Sequence, residues 1–343
     1  ASCIVEGSRG QAQLASLLMM ASLRRFAPPI VTLSAGLAAD FFGSHRHRSS
    51  ARAEQRCEQA KRVAFLGNSF LYFNDVPRVF QFLSSRDGED VHIKDCLRGG
   101  SSFRTLLKNG NGMDAKFRTP AALQPDGSYD IGAPTVEALL GEPQGWDFVV
   151  MCSYSQEAAI PARKQEGFAA LGVLAPMIDR ARACPVLLVT PAYRAHAKGS
   201  ECIGSWEEFT CKQSEGYRQY AEKLVEACTP GLQPRIADAN IAYQLVHGEQ
   251  PEMWQELFYR DNFHPSALGS FLEACVIYCA IFNRAPPLPE EVLQDPSKLW
   301  ARARRMLPPP EVGRMPTRDE MLYLRDVAVR ARSNDEMARL ERR

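Results

Sequence analysis

From Lys61 onward the chain alternates between short, almost unbroken apolar runs and longer stretches in which apolar residues recur every three or four positions. The runs are Val63–Leu66, Val91–Leu97, Phe148–Met151, Val186–Val189 and Ile236–Ala239. A strand that is apolar at consecutive positions is buried on both faces, the habit of a parallel sheet covered by helices on each side. The intervening stretches predict crossover helices over Pro77–Ser85, Phe103–Leu107, Thr135–Leu140, Ala169–Arg182 and Gly216–Cys228. Ser266–Phe282 is apolar almost throughout, so the helix it predicts is buried on all sides. The class this predicts is α/β, a three-layer α/β/α sandwich with a five-stranded parallel sheet spanning residues 61–283.

The flanking segments have another character. Residues 1–60 hold two apolar runs, Leu14–Met20 and Ile30–Phe42. Neither reaches the ~20 apolar residues of a membrane-spanning helix. Arginines and serines surround them and acids are few, so residues 1–60 read as a leader or targeting-like segment, with a plain poorly ordered leader equally open. Residues 284–343 begin with Pro286-Pro287-Leu288-Pro289 and include Pro308-Pro309-Pro310, which predicts an extended path. Thr317 and Glu320 then have the spacing of a capping box. Met321, Leu324, Val327 and Ala331 follow at helical intervals, predicting an amphipathic helix docked on the domain. Acids interleave with its arginines, which argues against a membrane surface as its partner.

Composition narrows the classes further. With 45% hydrophobic and 24% charged residues, the 343-residue chain has enough apolar material for a full core, which excludes a wholly disordered or collagen-like protein. The formal net charge is +1, and residues 61–283 alone carry −5, a poor sign for holding a phosphate backbone. Nucleic acid is therefore not an expected partner. Ten cysteines include no Cys-x-x-Cys pair, and the six histidines (His45, His47, His92, His196, His247, His264) show no metal-binding spacing. Cys202 and Cys211, nine positions apart, suit a bridge or two separate thiols. Cys275 and Cys279 lie in an apolar run and read as buried thiols.

In a parallel sheet covered on both faces, chemistry gathers at the carboxyl ends of the strands. The first strand is followed by Gly67-Asn68-Ser69-Phe70, the second by Arg98-Gly99-Gly100-Ser101-Ser102, the third by Cys152-Ser153-Tyr154-Ser155-Gln156 and the fourth by Thr190-Pro191. Asp261-Asn262-Phe263-His264-Pro265 precedes the last buried helix. A serine hydroxyl becomes a nucleophile when a base takes its proton, and that base needs an acceptor to fix its tautomer. Ser69, His264 and Asp261 are the candidates for these roles. Ser101 and Ser102 are rivals for the first role, though their place after the second strand favours capping. Backbone amides at Ser69 and Gly100 and one side-chain amide are candidate donors to a developing oxyanion. Each piece also has a structural reading as a turn or helix cap, so it is their joint occurrence at one sheet edge that carries weight.

Val63-Ala64-Phe65-Leu66-Gly67-Asn68-Ser69-Phe70, with Asn74-Asp75-Val76-Pro77 after it, resembles the first block of the SGNH/GDSL hydrolase superfamily, in the branch that opens with Gly-Asn-Ser. Gly99-Gly100-Ser101 is similar to that family's second block, and Asp261-Asn262-Phe263-His264-Pro265-Ser266 to its last. The resemblance covers roughly residues 61–283. It implies a flavodoxin-like hydrolase fold, esterase or lipase chemistry through Ser69, His264 and Asp261, a small-molecule or carbohydrate ester as substrate, and no metal or organic cofactor. The third block departs from the pattern. Where the family offers Gly-x-Asn, this chain has Cys152-Ser153-Tyr154-Ser155-Gln156, and Gln156 is the candidate replacement beside Gly100 as oxyanion donor. A degenerate fold used for binding or as a scaffold is the alternative reading. No Gly-x-Ser-x-Gly elbow, no Gly-x-Gly-x-x-Gly after the first strand and no phosphate loop of the Walker type occurs. Asn109–Gln124 and Ala195–Ser214 are expected to flank the cleft as loops, with Trp206 either stacking on substrate or packing.

Overall fold

The computed structural model describes residues 60–86, 90–195, 203–229, 233–304 and 313–340, with side chains to 332 in the last segment. The leader expected over residues 1–60 lies outside them except for Ala60, and so do His196, Cys202 and Pro308–Pro310. Five strands form one sheet: β1 (Lys61–Gly67), β2 (Val91–Leu97), β3 (Phe148–Met151), β4 (Cys184–Val189) and β5 (Arg235–Asp238). All pairs are parallel, in the order β2-β1-β3-β4-β5. β1 therefore runs first to one edge and then back across itself to β3. The crevice between the carboxyl ends of β1 and β3 is the switch point where such sheets bind ligands.

Between the strands run α1 (Ser69–Tyr72), α2 (Val76–Ser85), α3 (Phe103–Asn109), α4 (Asp114–Phe117), α5 (Val136–Leu140), α6 (Pro161–Arg180), α7 (Trp206–Ala227), α8 (Ala239–Glu249), α9 (Pro251–Glu256), α10 (Ala267–Phe282), α11 (Glu290–Gln294) and α12 (Arg318–Leu340). Successive strand residues point to opposite faces. Val63, Phe65, Val150, Cys152, Val186 and Leu188 enter one core with α2, α8 and α10, whereas Ala64, Leu66, Val149, Met151, Leu187 and Val189 enter the other with α3, α5, α6 and α7. That is why the runs of the inner strands β1, β3 and β4 are continuously apolar, whereas those of the edge strands β2 and β5 carry His92, Lys94, Asp95 and Asp238. The expected three-layer α/β/α arrangement is the one observed.

α10 is buried at every position from Ala267 to Ile281, because the sheet lies against one side and α12 against another. Met321, Leu324, Val327, Ala328 and Ala331 of α12 are fully buried in the same core as the strands. The capping box expected at its start is present: the Glu320 N–H donates to Thr317 Oγ1 at 3.4 Å, and the Thr317 N–H to Glu320 Oε2 at 2.7 Å. Among the described residues no helix is long and apolar enough to cross a membrane.

Some boundaries differ from expectation. α6 begins eight residues before Ala169 and α7 ten before Gly216, so residues 206–214 are helical rather than a loop. Ser205 caps α7 with a complete capping box to Glu208. Asn109–Gln124 likewise carries the four-residue α4 and a 3-10 turn at Pro120–Ala122. The helices α8 and α9 occupy a stretch for which the apolar pattern predicted none. Trp206 packs rather than lining the cleft: its ring centroid lies 4.4 Å from His247 and 5.4 Å from Trp254. His247 thus sits in an aromatic cluster on α8 with Trp206 and Trp254.

Candidate active site

The corner after β1 is built around Asn68, not around the serine beside it. Asn68 is extended (φ −133°, ψ −151°) and 1% exposed, and its Oδ1 accepts the N–H of Phe70 at 3.2 Å, capping α1. Its Nδ2 donates to the carbonyls of Ser101 (3.0 Å) and Ser153 (2.8 Å). One side chain therefore ties together the loops that follow β1, β2 and β3. An aspartate here would turn a carboxylate oxygen toward two carbonyls, which accounts for the amide. Because Asn68 supplies the cap, the Ser69 hydroxyl has no structural duty. It makes no hydrogen bond among the described residues, and Ser69 is 8% exposed.

Gly67 allows β1 and β3 to approach at this corner: a Cβ there would stand 2.6 Å from Cys152 Sγ and 2.8 Å from Leu71 Cδ1. Cys152 itself is buried, and burial pushes its thiol up to about 12, so it is an inert core residue.

After β2, Arg98-Gly99-Gly100-Ser101 forms a turn closed by the Ser101 N–H on the Arg98 carbonyl (3.3 Å). Gly100 has φ +62° and nothing within 4 Å of its Cβ position, so conformation rather than space calls for glycine. No acceptor takes the N–H of Ser69 or Gly100 among the described residues. The rival serines are committed elsewhere. Ser101 Oγ donates to the carbonyls of Arg98 (2.9 Å) and Gly67 (3.2 Å), and Ser102 Oγ caps α3 by accepting the Thr105 N–H at 3.1 Å.

The Asp261–His264 loop folds back on itself. Asp261 Oδ1 accepts the N–H groups of Phe263 (3.2 Å) and His264 (3.0 Å), and Oδ2 lies 2.7 Å from His264 Nδ1. Burial works to raise the Asp261 pKa, but the bonds from the His264 ring and from those two amides outweigh it and hold the carboxyl below its ordinary range. With Nδ1 facing Asp261, Nε2 is the nitrogen free to exchange a proton. The imidazole stacks on Phe73 (4.5 Å, 4° between planes) and lies 6.1 Å from the Phe70 ring, which places it against the short helix that Ser69 begins.

Three residues without a role in the sequence reading hold this loop. Asn74 Nδ2 donates to the carbonyls of Pro265 (3.0 Å) and Ser266 (3.1 Å) and to Ser270 Oγ (2.7 Å), joining the first block to the last. Asn262 has φ +71°, and the Arg194 Nε and Nη2 grip its Oδ1 at 2.9 and 2.5 Å. Asn74 lies within the first block and Asn262 within the last, though neither had a role assigned there; Arg194 follows the fourth strand with no local pattern to mark it.

Gln156 is buried after β3. Its Oε1 accepts from Arg163 at 2.9 Å. Nearby, Glu157 Oε1 accepts from the hydroxyls of Ser153 (2.5 Å) and Tyr220 (3.3 Å). Burial raises the Glu157 pKa to about 7 despite those bonds. The folded state thus holds this proton more tightly than the unfolded chain, where the value is 4.5. The stabilisation is complete below 4.5 and lost as pH rises through about 7. Thermal unfolding between pH 5 and 8 is expected to show a falling Tm that Glu157→Gln flattens; an unchanged slope in the variant would exclude Glu157 as its source. Among the described residues no three His, Cys, Asp or Glu side chains gather where they would hold a metal ion.

No protein-family model matches the chain, and no curated protein matches it. Solved structures do. A DUF4886 family protein from Bacteroides uniformis is 17% identical with a TM-score of 0.52, over 72% of this chain and 93% of that one. A protein from Slackia heliotrinireducens assigned as an SGNH hydrolase is 24% identical with a TM-score of 0.46, over 65% of this chain and all of that one. A psychrotrophic esterase from Pseudoalteromonas sp. is 12% identical with a TM-score of 0.42, over 65% and 97%. At such identities the likeness is one of fold.

Proposed function

We propose that the chain is a serine hydrolase of carboxylic esters working through an acyl-enzyme. The observation that carries this is the imidazole of His264, paired to Asp261 and laid on the helix that opens with an uncommitted serine. His264 Nε2 takes the Ser69 proton as Oγ bonds to the ester carbonyl carbon. The carbonyl oxygen becomes an oxyanion facing the free N–H groups of Ser69 and Gly100. Collapse breaks the bond to the alcohol oxygen, which leaves with the proton from His264. Water then repeats the sequence on the acyl-serine, returning the acid and the free hydroxyl. Small acyl groups such as acetyl on a carbohydrate are the substrates we favour.

A fluorophosphonate probe is expected to label Ser69, and Ser69→Ala is expected to lose both the adduct and p-nitrophenyl acetate hydrolysis. A label elsewhere, or equal rates in both proteins, would overturn the reading. Such a result would support a binding protein on the same fold.

A further inference from the structure

We infer that the mouth of this site reads a carboxylate on the ester it cleaves, and that Lys116 is the residue that reads it; the inference rests on the esterase reading and names its substrate class. Lys116 lies on α4, half-buried, in the loop region between β2 and β3. Its ammonium donates to the Tyr72 hydroxyl at 2.9 Å and stands 4.5 Å over that ring. Tyr72 ends the helix that Ser69 begins. On the other side, a Cβ on Gly99 would meet Tyr72 Oη at 2.9 Å and Lys116 Nζ at 3.4 Å. The cation is therefore set against the turn that presents the Gly100 amide, within one side chain of the candidate nucleophile's helix.

No carboxylate lies within ion-pairing distance of Lys116 among the described residues, whereas Lys94 and Lys223 each have one. Other cations at this edge share its condition. Arg98 spans the carbonyls of Asn109, Gly110 and Asn111, Arg194 grips Asn262 and the Gln255 carbonyl, and Arg163 holds Gln156. The carboxylate of Asp261 is taken by His264. A domain of charge −5 thus presents unpaired cations at one end of its sheet. A half-buried ammonium resting on neutral partners is poised to exchange a phenol for a carboxylate, since the opposite charge adds a Coulombic attraction that a neutral hydroxyl lacks.

Monoethyl glutarate and ethyl pentanoate have acyl chains of equal length and differ by one carboxylate. The wild-type kcat/KM is expected to favour the glutarate by about tenfold at low salt. Lys116→Met should bring the ratio near one, with Arg118→Met, which removes the exposed partner of Asp114, as the control that keeps it. A ratio near one in the wild type, or one unchanged in Lys116→Met, overturns the inference. If p-nitrophenyl acetate is not cleaved the esterase reading fails by itself; in that case, or where neither ethyl ester is cleaved, calorimetric titration with glutarate decides the rest. Binding that Lys116→Met weakens about tenfold supports a carboxylate site, and equal or absent binding overturns it.

Discussion

Replacing His264 by alanine is expected to lower kcat for p-nitrophenyl acetate by about 10⁴- to 10⁶-fold while KM stays within a few-fold. The imidazole holds no part of the fold that its neighbours do not also hold. The loop is closed by Asp261 Oδ1 on two backbone amides, by Arg194 on Asn262 and by Asn74 on the next two carbonyls. Unfolding curves should therefore coincide with the wild type to within about 1 kcal/mol. Asp261→Asn makes the sharper comparison. Its remaining oxygen still caps Phe263 and His264, so the loop persists, but an amide N–H now faces Nδ1 and favours the tautomer whose proton sits on Nε2. That nitrogen can no longer accept from Ser69, and a loss of about 10⁴ in kcat is expected. Adding Ser69→Ala to His264→Ala should cost little more, since residues acting as one unit are not additive. Retention of a tenth of the activity in His264→Ala would place the base elsewhere.

The inner strands were legible because a parallel sheet buried on both faces imposes continuous apolarity on β1, β3 and β4. All five runs begin and end within two residues of the observed strands, Ile236–Ala239 losing only Ala239 to the start of α8. The amino-terminal halves of α6 and α7 were not legible. Pro161–Phe168 and Trp206–Glu215 face solvent over much of their surface, so Arg, Lys, Gln and Glu dilute the helical period.

The site shows the same division. Asp261 and His264 lie three positions apart and announce themselves. Asn68 does not, because its value lies in two carbonyls 33 and 85 positions away that no local pattern reports. Cys152 occupies the strand end where an amide was sought, and Gly67 explains why: the sulfur packs against its bare Cα.

Arg304 is the most consequential long-range residue, and Arg304→Met is expected to cost about 3–5 kcal/mol of unfolding free energy near neutral pH. It comes from the segment after the sheet yet is 1% exposed. Its guanidinium donates to Asp75 through Nε (3.0 Å) and Nη2 (2.9 Å) and to Asp95 through Nη2 (2.5 Å), and lies 4.1 Å over the Phe117 ring. Its backbone N–H adds a bond to Asp75 at 2.6 Å, and Nη1 reaches the Asp130 carbonyl at 3.3 Å. Asp75 sits at φ +54°, directly after the Asn74 that anchors the His264 loop. Methionine fills much of the volume but leaves two fully buried carboxylates without their cation, and Asp95 Oδ1 already lacks a partner. The pH dependence identifies the cause. Burial raises the Asp95 pKa above its ordinary 3.8 even with Arg304 opposing it, so without the arginine the value must rise further. A raised folded pKa means stabilisation present at low pH and lost as pH climbs from 3.8 through the folded value. The deficit of Arg304→Met in urea unfolding should thus be larger at pH 8 than at pH 5, and adding Asp95→Asn should recover part of it. A deficit under 1 kcal/mol, or one equal at both pH values, would mean that the cluster is held by packing rather than by charge. In the expected case the variant is also slower toward esters under conditions where it remains folded, because Asp75 sets the backbone from which Asn74 reaches the Asp261–His264 loop.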